Sequence, residues 1–80
     1  LLVDTNSVGA VTITLPSNPS MGDEIWIVDS AINFGTNNCT IGRNSENIDG
    51  NAGDYVLNSD KADVRLVYVD STTGWRVIDG

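Results

Sequence analysis

Residues 63–78, reading Asp-Val-Arg-Leu-Val-Tyr-Val-Asp-Ser-Thr-Thr-Gly-Trp-Arg-Val-Ile, leave this chain little choice of fold class. Two apolar-rich runs, 64–69 and 75–78, flank a short loop of turn formers that ends in Gly74. Val, Tyr, Trp and Ile pack well on a pleated surface, so the stretch predicts a β-hairpin. Gly74 is placed to take a positive φ just before the second strand, as a bulged hairpin loop often requires. No residue of the hairpin carries chemistry of its own.

The rest of the chain reads in the same way. Residues 10–15 alternate, with Val11, Ile13 and Leu15 on one face and Thr12 and Thr14 on the other, the pattern of a strand with one wet side. Pro16 and Pro19 end it, because neither can donate to a ladder. Residues 24–29 differ. Ile25 and Ile27 lie on one side and Trp26 and Val28 on the other, so both faces are apolar, as in a strand buried twice. Residues 39–42 and 55–57 are short strands between turns rich in Gly, Asn and Asp. In 64–69, Val64, Leu66 and Tyr68 oppose Arg65, Val67 and Val69, and again the second face is largely apolar. No stretch holds the spacing of an amphipathic helix beyond about one turn. The expected fold is a single all-β domain over 1–80, a small antiparallel β-sandwich or barrel-like structure.

Size makes this fold marginal by itself. A chain of 80 residues buries only about 60% of its unfolded surface, so a further staple is expected. Cys39 is the only cysteine and histidine is absent, which excludes an internal disulfide and a zinc site. Association with another subunit remains, and the second apolar faces bearing Trp26, Val28, Val67 and Val69 are where it is expected. Eleven acidic against four basic residues give a net charge of −7, which disfavours nucleic acid and anionic membrane surfaces. No apolar run is long enough to span a bilayer as a helix, so no membrane insertion is expected. The chain starts at Leu1 rather than Met and is expected to be part of a longer polypeptide.

Candidate chemistry is sparse. Residues 49–54, Asp-Gly-Asn-Ala-Gly-Asp, resemble the opening of a calcium loop, but the sixth position is Asp54 rather than Gly, and Asp60 is short for a closing Glu. A surface turn is the expected reading, with no metal and no cofactor. A glycosidase needs two carboxylates about 5–10 Å apart, and nothing in the spacing selects such a pair. Cys39 has no histidine partner and no Gly-rich phosphate loop is present, so no catalytic residue is expected. Trp75 and Tyr55, close to loops, are the candidates for stacking on a sugar ring, although five aromatics are first needed as core mass. Residues 38–40 match an N-glycosylation sequon.

Taken in order, several segments resemble a small β module of bacteriophage tail-fibre, tailspike and other virion structural proteins, especially of marine and cyanobacterial phages and prophages. These are 2–5 (Leu-Val-Asp-Thr), 11–16 (Val-Thr-Ile-Thr-Leu-Pro), 22–23 (Gly-Asp), 33–38 (Asn-Phe-Gly-Thr-Asn-Asn), 40–44 (Thr-Ile-Gly-Arg-Asn), 48–50 (Ile-Asp-Gly), 66–70 (Leu-Val-Tyr-Val-Asp) and 74–77 (Gly-Trp-Arg-Val). The resemblance spans nearly the whole chain, and each segment alone is ordinary β and turn chemistry. It implies a structural, trimerisation or distal domain of a virion appendage involved in host attachment, with no enzymatic activity. The implied partners are sister chains in a homotrimer and other virion tail proteins. A carbohydrate-binding receptor tip holding a host surface glycan is the alternative, and a tailspike depolymerase fragment a weaker one. Cys39 stands where the resemblance leads one to expect an aliphatic residue, and as a small apolar side chain it suits that position.

Overall fold

The computed structural model describes residues 1–79. The chain is predominantly β. In order it forms β1 (Leu2–Val3), a one-turn helix α1 (Thr5–Val8), β2 (Val11–Thr14), β3 (Glu24–Asp29), β4 (Cys39–Gly42), β5 (Tyr55–Leu57), β6 (Val64–Asp70) and β7 (Gly74–Asp79). Two sheets result, one ordered β1-β3-β6-β7 and the other β2-β4-β5.

Neither sheet is purely antiparallel, which corrects the expectation from the sequence. β1 runs parallel to β3, and β2 runs parallel to β4. The reason is the path of the chain: β1, β2, β3 and β4 go to alternate sheets, so each returning strand enters its sheet in the direction of the one before. The remaining pairs, β3 with β6, β4 with β5 and β6 with β7, are antiparallel.

Both sheets feed one core. Ile27, Val64, Leu66, Tyr68 and Trp75 come from the four-stranded sheet, Cys39, Ile41 and Leu57 from the three-stranded sheet, and Leu15, Phe34 and Ile48 from connections. The expected hairpin is the longest paired unit, with Leu66 opposite Val77 and Tyr68 opposite Trp75. Its register shifts between Tyr68 and Asp70, and Gly74 adopts φ 73°, the left-handed conformation that the bulged loop requires. Asp70 Oδ1 closes the loop by accepting the N–H groups of Thr72 and Thr73.

The acidic residues are the staples of the connections. Asp4 caps α1, accepting from the N–H groups of Asn6 and Ser7 and from the Ser7 hydroxyl. These bonds from Ser7 and then Asn6 hold its carboxyl below the usual carboxylate range. Asp23 accepts from Ser20 N, Asp54 from Arg43 N, Asp60 from Gly35 N and Asp63 from Asp29 N. Aspartate side chains therefore satisfy backbone donors that would otherwise be open in a chain with few regular elements.

Asp29 is the centre of this system. It is 4% exposed, and its carboxylate accepts the N–H groups of Asn33, Phe34 and Lys61 at 2.9–3.1 Å. Burial pushes its pKa up, but the bonds from Phe34, Asn33 and Lys61 outweigh burial, and the group lies below the usual carboxylate range. One side chain thus ties the loop after β3 to the loop before β6.

Candidate functional site

The outward face of the four-stranded sheet is the most distinctive surface of the molecule. Strand alternation sends Ile25 and Ile27 of β3 toward the core and Trp26 and Val28 away from it, and does the same with Leu66 and Val67 of β6. Register then builds rows across the sheet. Leu2 lies beside Val28, Trp26 beside Arg65 and Arg65 beside Ile78, and Val67 sits between Glu24 and Arg76. Trp26 is 50% exposed and Leu2 74%, while Val28, Val67 and Val69 are half-buried by their neighbours.

Its charges are bound within the chain. The Arg65 guanidinium sits 5.6 Å from the Trp26 ring centroid and reaches Glu24 at 3.3 Å. Arg76 Nε donates to Asp49 Oδ1 at 2.8 Å. A cation over an indole contributes about 0.5–1 kcal/mol at such an exposed position, enough to orient both side chains. The result is an apolar face with a few oriented, already paired polar groups. The four residues expected at a subunit contact, Trp26, Val28, Val67 and Val69, all belong to strands β3 and β6 of this sheet.

The stacking candidates fare differently. Trp75 is fully buried and its indole lies edge-on to Tyr68, with ring centroids 5.4 Å apart, so it has no face to offer a sugar. Its Nε1 finds no hydrogen-bond partner among the described residues, an exception to the usual pairing of a buried indole N–H. Nearness to a loop in sequence had suggested exposure, but residues 47–51 fold over it. Ile48 bridges Trp75 in parallel, Trp75 N–H donates to Asn47 O, and Asp49 N–H donates to Trp75 O. Tyr55 is half-buried against the core. The Tyr68 hydroxyl donates to Glu46 at 2.7 Å, and that bond, burial and the nearby charges of Glu46 and Asp70 raise its pKa.

Residues 49–54 form a tight turn. Asp49 and Gly50 have φ 50° and 77°, and Ile48 and Asn51 exchange backbone hydrogen bonds across them, the geometry that an Asp-Gly pair favours in a two-residue hairpin. The Asp49 carboxylate accepts from Arg76 and from Val77 N, whereas Asp54 and Asp60 serve Arg43 and Gly35 elsewhere. Their oxygens do not converge, and no group of three or more His, Cys, Asp or Glu that could hold a metal occurs among the described residues. Asp49, Gly50, Thr73 and Arg76 line a shallow depression of about 370 Å³. Its one carboxylate and one guanidinium are bound to each other, so it does not present a free acid–base pair.

Cys39 is fully buried, and burial followed by the negative charge of Asp29 raises its pKa. Such a thiol is inert. In the native protein Cys39 is expected to resist a maleimide that labels it fully in denaturant, and rapid native labelling would contradict this placement.

No family model matches the chain, and no curated protein matches it.

Proposed function

We propose that this chain is a structural module of a bacteriophage tail fibre or related virion appendage, assembled with sister chains as a homotrimer and taking part in host attachment without catalysis of its own. The observation that carries the reading is the apolar outer face of the four-stranded sheet, centred on half-exposed Trp26. Full burial of a Val or larger side chain contributes about 1.5–3 kcal/mol. Part of that is already realised for Val28, Val67 and Val69, so the remaining gain is about 1 kcal/mol for each, with more from Trp26 and Leu2. Repeated on every chain, that gain is comparable with the margin of about 5 kcal/mol typical of a small domain. The segments quoted for the resemblance support the setting, and the trimer belongs to the same reading.

Val28→Glu tests it. The substitution places a carboxylate between subunits, while Ile27, Val64 and Leu66 on the inner side stay unchanged. A buried unpaired charge costs several kcal/mol. The expected result is a single-chain mass in light scattering with the β-sheet spectrum retained. A trimer that tolerates Val28→Glu would contradict the use of this face.

The same geometry favours one second reading. Trp26 is half-exposed with Arg65 over its ring and Glu24 beside it, and a sugar ring that displaced the Arg65 guanidinium would find an aromatic floor flanked by hydrogen-bonding groups. That reading expects a monomer that binds a host surface glycan on an array and loses binding in Trp26→Ala.

A further inference from the structure

A glycine that follows an aspartate leaves the peptide nitrogen without a neighbouring side chain, and that nitrogen can attack the aspartate Cγ. A Cγ–N bond forms and a Cγ–O bond breaks, and water leaves with the amide proton and the carboxyl hydroxyl, closing a succinimide ring. Water then adds at either ring carbonyl. Opening at Cγ restores aspartate, whereas opening at the backbone carbonyl gives isoaspartate, in which the main chain runs through Cβ and Cγ. Two Asp-Gly pairs occur in the chain, Asp49–Gly50 and Asp79–Gly80. We propose that Asp49–Gly50 is a latent isomerisation site that the fold holds unreactive, with Arg76 as a positioning residue. This chemistry is independent of the proposed assembly.

Both reacting groups are engaged with β7 and the loop before it. Asp49 Oδ1 accepts from Arg76 Nε at 2.8 Å and from Val77 N at 3.1 Å. Gly50 N–H donates to Thr73 O at 2.9 Å. Attack requires the nitrogen to leave Thr73 while the carboxyl swings off Arg76 and Val77. The turn itself adds a restraint, since Asp49 and Gly50 are held at φ 50° and 77° by the paired Ile48 and Asn51. Asp49 and Gly50 are exposed, so solvent water is at hand and geometry, not burial, withholds the reaction.

The product does not fit the place of the parent residue. Isoaspartate lengthens the main chain by one carbon, too long for a two-residue turn, and leaves a carboxylate one carbon shorter, out of reach of Arg76 and Val77. Ile48 then loses its bridge to Trp75, and the cover over the buried indole opens. Reaction and the packing of residues 47–50 on β7 are thus mutually exclusive. The rate follows the population of chains in which this segment has lifted away.

The test follows isoaspartate at Asp49 during incubation of the chain in warm neutral buffer, native and unfolded in guanidinium. Trypsin cuts after Arg43 and Lys61, so peptide 44–61 carries Asp49–Gly50 apart from Asp79–Gly80. Isomerisation changes the retention and fragment ions of this peptide but not its mass, whereas deamidation of its asparagines adds mass. The native chain should form isoaspartate at Asp49 at least about tenfold more slowly than the unfolded chain, because three backbone bonds hold residues 47–50 on Thr73 and Trp75. Equal rates would overturn the proposal. Arg76→Gln, with its β-sheet spectrum retained, should raise the native rate about threefold, the size expected for an exposed ion pair. In native wild type, high salt should raise it in the same direction by screening the pair, without changing the unfolded rate. Native rates that respond to neither change would overturn the role of Arg76.

Discussion

Replacing Gly74 with alanine is expected to leave the domain largely unfolded at room temperature. Gly74 sits at φ 73°, and a left-handed backbone costs a residue with a Cβ about 1–2 kcal/mol. The larger effect is steric. A Cβ at this position would overlap the Asn47 carbonyl, which is backbone and is itself held by Trp75 N–H. Relief of the overlap pushes residues 47–50 off β7, releasing the bonds of Asn47, Asp49 and Gly50 to Trp75 and Thr73 and uncovering Ile48 and Trp75. Each backbone bond contributes about 1 kcal/mol net, and uncovering an Ile costs about 2 kcal/mol. The three bonds, the uncovered Ile48 and the left-handed backbone together come to about 6 kcal/mol, which exceeds a margin of about 5 kcal/mol for a small domain. Urea titration followed by tryptophan fluorescence reads it directly, and a midpoint close to that of the parent protein would contradict the packing of residues 47–50 on β7.

Asp29→Ala is expected to cost about 3–5 kcal/mol. Its carboxylate is the acceptor for three backbone N–H groups from two loops, and removal leaves those donors unpaired in a largely closed site. Asp29→Asn keeps one acceptor oxygen and should cost less, about 2 kcal/mol. The same carboxylate makes the fold acid-sensitive. Its folded pKa lies below the ordinary value of 3.8, so the folded state holds the proton less tightly than the unfolded chain does. Its contribution is therefore present in full above the unfolded value and is lost as pH falls through the lower folded value. Melting temperature followed from about pH 6 to about pH 2 should drop steeply below about pH 4, and less steeply in Asp29→Asn. Equal pH profiles for the two proteins would show that Asp29 is not the anchor.

Much of the β structure was legible because strands are written locally. The alternation in Val11–Thr14, the two-faced run of Glu24–Asp29 and the hairpin around Gly74 all carry their signal within a few residues. Pairing direction was not legible, since whether β1 joins β3 in parallel depends on which sheet the intervening strand enters, and no local pattern records that. Helix α1 was missed for a related reason. Four residues are too few for a periodic signal, and the Asp4 cap alone looks like a turn. Asp29 was not separable from ten other acidic residues, because its burial and its three donors come from loops distant in sequence. Trp75 misled because its cover, residues 47–51, lies far away along the chain. The apolar face with Trp26, Val28 and Val67 was readable from alternation, while the paired state of Arg65 and Arg76 required the register.

The mass of the wild-type protein in solution tests self-assembly most directly. Multi-angle light scattering on the purified chain should return three times the 8.5 kDa of one copy, with a melting temperature that rises as protein concentration rises. A mass of one chain, with a melting temperature independent of concentration, would contradict it.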